Sequence, residues 1–127
     1  MFINDLIICI TSDASLNSLA NGGIRFDHLP TDFNSKKSWI VFDYELEDTI
    51  QTLDDNSFAE YYNVTVQIVS KNMMDTINIF DRLSIYLNSY DDGKIRAITQ
   101  LPGDPRDYDT EKGVYYKNAN FSVLYTD

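Results

Sequence analysis

Two stretches of this chain alternate apolar and polar residues so regularly that they leave little freedom about what they form. From Trp39 to Leu46, the side chains of Ile40, Phe42, Tyr44 and Leu46 fall on one side and Asp43 and Glu45 on the other. Tyr62, Val64, Val66 and Ile68 repeat the pattern, with Asn63, Thr65 and Gln67 opposite. A period of two marks strands with one face buried. The polar connection between them, roughly Glu47 to Phe58, is long for a hairpin, and a connection of that length is either mobile or functional.

The remaining patterns surround this pair. Phe2, Ile3, Leu6, Ile7 and Ile10 recur at helical spacing and place an opening helix of about three turns. Thr11-Ser12-Asp13 reads as a stop and a new N-cap, with one more short turn of helix from Ala14 to Leu19 before Asn21-Gly22-Gly23 reverses the chain. Ile24-Arg25-Phe26 is a short strand, and Thr31 to Lys37, after Pro30, is a loop. Asn72 is a good N-cap for a second helix whose apolar stripe is Met73, Ile77, Phe80, Leu83 and Leu87. Asp91-Asp92-Gly93 ends that segment with turn chemistry. Ile95 to Leu101 is a strand, Pro102 to Gly113 a loop and Val114 to Tyr125 the closing strand. The expectation is a single domain over residues 1–127 of the α+β class. It is a mainly antiparallel sheet of four to five strands with two helices packed on one face. The other face is comparatively polar, open to water or to a neighbouring subunit.

Composition narrows the function. A hydrophobic fraction of 43% with 9 Tyr and 7 Phe belongs to a packed protein rather than a disordered one. Against 20 Asp and Glu stand 10 Lys and Arg, for a formal net charge of −10. Such a chain repels phosphate and has no basic stripe with which to grip DNA. The excess is local: Ser38 to Ser70 holds seven acids and no base, namely Asp43, Glu45, Glu47, Asp48, Asp54, Asp55 and Glu60. Cys9, inside Leu6-Ile7-Ile8-Cys9-Ile10, is expected to be a buried thiol. No apolar run is long enough for a membrane span and the first residues lack a basic n-region, so the expectation is cytoplasmic synthesis without membrane contact.

Reaction chemistry is thinly represented. The one histidine, His28, sits beside Asp27 near a loop, and one Cys with one His falls short of a zinc set. Asp107, Asp109 and Glu111 alternate like the start of a calcium loop, but Gly113 comes one place late and Asn118 stands where a bidentate Glu belongs. No glycine-rich phosphate loop is present. The expectation is a protein that is not an enzyme and takes no cofactor or metal.

The ordered motifs resemble those of the tail-terminator, or tail-completion, proteins of long-tailed bacteriophages, which join tail to head. The apolar opening helix is similar to that family's N-terminal helix, and Gly23 with Ile24-Arg25-Phe26 to its Gly-Arg-hydrophobic-aromatic strand. Pro30 falls where a proline is common, Trp39-Ile40-Val41-Phe42 resembles the second strand, and Tyr62 to Ile68 the third, which runs into a helix like Met73 to Asn88. Phe121-Ser122-Val123-Leu124-Tyr125 is similar to the closing strand. Ile24 between the usual Gly-Arg pair and Ser38 in place of a proline depart from the pattern.

The resemblance implies a homohexameric ring in the virion, assembled in the host cytoplasm. Such a ring would sit at the head-proximal end of the tail, stop tail-tube polymerisation and meet a head-completion or connector protein. Its partners would be further copies of itself, the tail-tube protein and the connector, with DNA passing through unbound. On this reading Asp43, Glu45, Glu47, Asp48, Asp54 and Asp55 line the lumen or the tube-facing rim. Another ring of the neck or tail tube, or a monomeric ligand-binding domain with an apolar pocket, are the alternatives.

Overall fold

A computed structural model describes residues 1–51 and 58–126. Helix α1 (Phe2–Thr11) and α2 (Ala14–Leu19) lead into β1 (Gly23–Phe26), then β2 (Trp39–Gln51) and β3 (Phe58–Ser70). Helix α3 (Met73–Asn88) follows, and β4 (Ile95–Leu101), β5 (Asp107–Asp109) and β6 (Val114–Thr126) close the chain. The strands form one mixed sheet in the order β1-β2-β3-β6-β4, with β5 added to β6. All pairings are antiparallel except β1 with β2, which run parallel. The fold is therefore the expected α+β arrangement, with helices on one face of a mostly antiparallel sheet.

Several expectations are corrected in detail. The short turn at Ala14 to Leu19 is a helix in its own right, giving three helices, and β5 lies inside the segment read as a loop from Pro102 to Gly113. The connection read from Glu47 to Phe58 begins as strand, since β2 continues through Gln51 and β3 starts at Phe58, and residues 52–57 lie outside the described residues. The stripe of α3 is turned by one position in its first half, where Thr76 and Ile79 are buried and Met73 is exposed, while Leu83 and Leu87 are buried as expected. Thr76 tolerates burial because its hydroxyl donates to the Met73 carbonyl at 2.6 Å. On α1 the buried residues are Phe2, Leu6, Cys9 and Ile10, whereas Ile7 faces out.

The main core lies between the helices and the sheet face carrying Ile40, Phe42, Val64, Val66, Ile68, Phe121, Val123 and Tyr125. Phe2 stacks on Tyr62 with ring centroids 3.7 Å apart and meets Tyr44 and Tyr125 edge-on. Tyr86 donates its hydroxyl to the Cys9 carbonyl at 2.7 Å, tying α3 to α1. Burial, with the nearby Asp92 charge adding to it, pushes the Cys9 thiol up to about 12, as expected of a packed cysteine.

A second, smaller cluster covers one end of the opposite sheet face, which the sequence presented as open. Trp39, Val69 and Val114 pack there under Leu29, Phe33 and Tyr116. The Trp39 indole N–H donates to the Asn34 carbonyl at 2.9 Å. Gly22 makes room for that indole, since a Cβ at this position would come within 2.4 Å of the ring. The loop from Asp27 to Lys37 is thereby anchored, and the rest of the face stays uncovered.

Asp13 caps α2 by accepting the Leu16 N–H at 3.1 Å and takes a two-point ion pair from Arg82 of α3, at 2.9 and 2.6 Å. The Arg82 hydrogen bond, followed by the Leu16 amide, holds this carboxyl below its ordinary range. A depressed folded-state value means stability that is present above the unfolded value of about 3.9 and is lost as pH falls through the folded one. Asp13→Asn keeps a capping oxygen and removes the charge. The stability gap between wild type and Asp13→Asn, read by urea unfolding, is expected to be constant from pH 7 to 5 and to shrink steadily below pH 4. A gap unchanged at pH 3 would remove the ion pair from the account.

Candidate functional site

The uncovered half of the sheet is a lattice of polar side chains at strand spacing. Successive residues along a strand point to alternate faces while register partners on neighbouring strands share one, so the pairing of β2, β3 and β6 sets Asp43 beside Thr65 and Asn120, and Glu45 beside Asn63 and Ser122. Thr99 of β4 extends the second row, and Gln67 with Asn118 forms the next row toward the Trp39 end. The Thr65 hydroxyl donates to Asn120 Oδ1 at 3.2 Å across two strands. Among the described residues these rows hold no lysine or arginine.

Acids border the lattice along β2. Asp43 and Glu45 are exposed on the open face, as their alternation predicts. Asp48 should by strict alternation fall on the helix side, with Leu46. A β-bulge between Leu46 and Asp48 inserts Glu47 and shifts the phase, so that Asp48 pairs with Tyr61 and joins the open face. Glu47 itself is the extra residue and is exposed. Of the six acids singled out from sequence, the structure thus groups Asp43, Glu45, Glu47 and Asp48 along one strand. Asp54 and Asp55 lie outside the described residues. Two of the carboxylates have local work: Asp43 Oδ1 accepts the Tyr44 N–H and Asp48 Oδ1 the Thr49 N–H, each at 2.8 Å.

Two residues that the sequence reading passed over stand out on this face. Asn63 Oδ1 and Asn118 Oδ1 are buried with no hydrogen-bond partner among the described residues. Asn63 adjoins a depression of about 190 Å³ walled by Asp43, Tyr44, Glu45 and Thr65. Asn118 adjoins one of about 370 Å³ walled by Gln67, Asp104, Pro105, Asp107 and Tyr116. Both hollows are lined chiefly by acids, amides and hydroxyls, unlike the apolar clefts that hold small molecules. The alternation places Asn63 and Asn118 on the polar side, but nothing in the chain marks their oxygens as unpaired.

The other sequence candidates resolve into local structure. The Asp109 carboxylate accepts the N–H groups of Glu111 and Lys112 at 2.9 and 3.2 Å, and Gly113 follows at φ +68°, so the calcium-like run is a hairpin turn. His28 Nδ1 sits 3.3 Å from Asp27 Oδ2, with both side chains well exposed. Among the described residues no group of three or more His, Cys, Asp or Glu is placed to hold a metal, and no helix is long and apolar enough to cross a membrane.

Fold and face together define a class: an α+β sheet-and-helix domain with one polar, acid-bordered sheet face left open. Among solved structures, the chain is similar to one from the virion of a native gene transfer agent particle, with a TM-score of 0.69. The match spans 96% of this chain and 92% of that one at 10% sequence identity, and shows a shared fold. No family model and no curated protein matches the sequence.

Proposed function

We propose that the chain is a structural subunit of a phage-like virion and acts without catalysis. The observation that carries this reading is the fold shared over nearly the whole chain with a protein of a gene transfer agent virion. The finer reading is a ring, of six copies by the tail-terminator resemblance, at the head-proximal end of the tail. There it would end tail-tube growth and join the tube to a head-completion or connector protein. The open face supports this assignment. A surface of neutral amides and hydroxyls edged by Asp43, Glu45 and Asp48, placed at a lumen, repels phosphate and offers passing DNA nothing to hold. Another ring of the neck or tube would use the same face in the same way, and the adjoining protein would separate the two.

Light scattering over a concentration series, with negative-stain imaging of the same samples, tests the reading. The expected result is an assembly of about six 14.6 kDa chains with a central channel. A strict monomer at every concentration, alone and with purified tails, would overturn it.

A further inference from the structure

The ring reading leaves open how copies join, and the strand register supplies an answer that rests on that reading. Strand β1 covers β2 only from Trp39 to Phe42, after which Asp27, at φ +76°, turns the chain away. From Asp43 onward β2 pairs with no described strand on its outer side. On the far side of the sheet β4 is likewise an edge.

These two edges stand at the same height. Following the register across the sheet, Thr49 is level with Glu60, Tyr125 and Ile95, while Asp43 is level with Thr65, Asn120 and Leu101. The free stretch of β2 and the whole of β4 therefore bound one four-stranded antiparallel band. β4 runs opposite to β2, so an edge-to-edge meeting between copies continues the antiparallel ladder. Edges at equal height need no axial step from one copy to the next, which lets a head-to-tail contact close by rotation instead of climbing into a filament.

Charge agrees with this pairing. The β2 edge carries Glu47 and Asp48; on the other side Arg96 of β4 and Lys94 just before it are exposed, and neither has an ion pair to a described residue. Each edge also has its one bulge at this level, Glu47 in β2 and Arg96 in β4. Bulges and charges are the devices by which edge strands avoid indiscriminate pairing. The Asp43 and Asp48 carboxylates add to that guard by holding the N–H groups of Tyr44 and Thr49. A basic strand is the partner that can draw those carboxylates away and take their place.

The geometry points to an antiparallel pairing between two copies of this chain: β4 of one along the uncovered part of β2 of the next, with Lys94 and Arg96 facing Glu47 and Asp48. The test is a chain carrying both Glu47→Cys and Arg96→Cys, treated with a short bismaleimide; Cys9 is buried and stays out of the reaction. A ladder of covalent dimers, trimers and larger species is expected from the double variant, and no ladder from either single variant. Separately, Arg96→Glu is expected to raise the concentration of half-assembly by about tenfold or more, and Glu47→Arg in the same chain to restore it. Rings that form normally in Arg96→Glu, with no ladder from the double variant, would overturn this pairing and leave the ring reading intact. No ladder together with a wild-type chain that never assembles would overturn both.

Discussion

Phe121→Ala is expected to lower the unfolding free energy by about 3–5 kcal/mol, the usual cost of emptying a large aromatic site in a core. Phe121 is fully buried on β6, the strand that pairs with β3, β4 and β5. Its side chain belongs to the cluster that includes Ile79 and Leu83 of α3. A cavity there sits between sheet and helix and cannot be filled by one side chain swinging in, since neighbours on the strand ladders are held in register. A domain of this size has about 5–15 kcal/mol in total, so the variant should survive only with its urea midpoint sharply reduced. Phe26→Ala is the comparison: Phe26 is 41% exposed on an edge strand and should cost about 1 kcal/mol or less. Equal losses at the two positions would mean that the helix-facing core is not the main source of stability.

Much of this core was legible in the sequence because period two and period 3.6 arise from burial itself. Ile40 to Leu46, Tyr62 to Ile68 and Phe121 to Tyr125 announce their faces, and the caps at Asp13 and Asn72 stand where the side-chain oxygens are needed. The misses have physical causes. The alternation of β2 stops at Leu46 because Glu47-Asp48-Thr49 is polar throughout. Those residues, like Leu46 at 53% exposure, are all exposed, so burial leaves no alternation to read. The bulges are likewise silent: Ile95 and Ile98 face the same side only because Arg96 is an extra residue between them. The parallel pairing of β1 is settled by contacts distant in sequence, and β5, the short arm of a local hairpin, is too brief to show a period. For the site, composition pointed to the acids between Ser38 and Ser70, but only strand register shows that Asp43 and Glu45 border rows of amides and hydroxyls.

Reversing the charge of that border should have the largest functional effect. Asp43→Lys with Glu45→Lys replaces two carboxylates on the open face with two ammonium groups and leaves Glu47 and Asp48 on the strand edge untouched. Neither side chain is buried, so folding should be retained and the urea midpoint little changed. On the proposed ring reading every copy contributes the change, and a lumen bordered by these acids would become a band of positive charge. The double variant is expected to bind duplex DNA with a dissociation constant on the order of 10⁻⁴–10⁻⁶ M, weakening steeply as salt rises, and the wild type is expected not to bind. Particles built with it should deliver DNA at least about tenfold less well than wild type, because counterion-released contacts must be broken at each step of passage. Fluorescence anisotropy with a labelled duplex reads the first effect and a delivery assay the second. Binding without a delivery defect would place the open face on the outside of the ring, where its acids would meet a neighbouring protein instead of the passing genome.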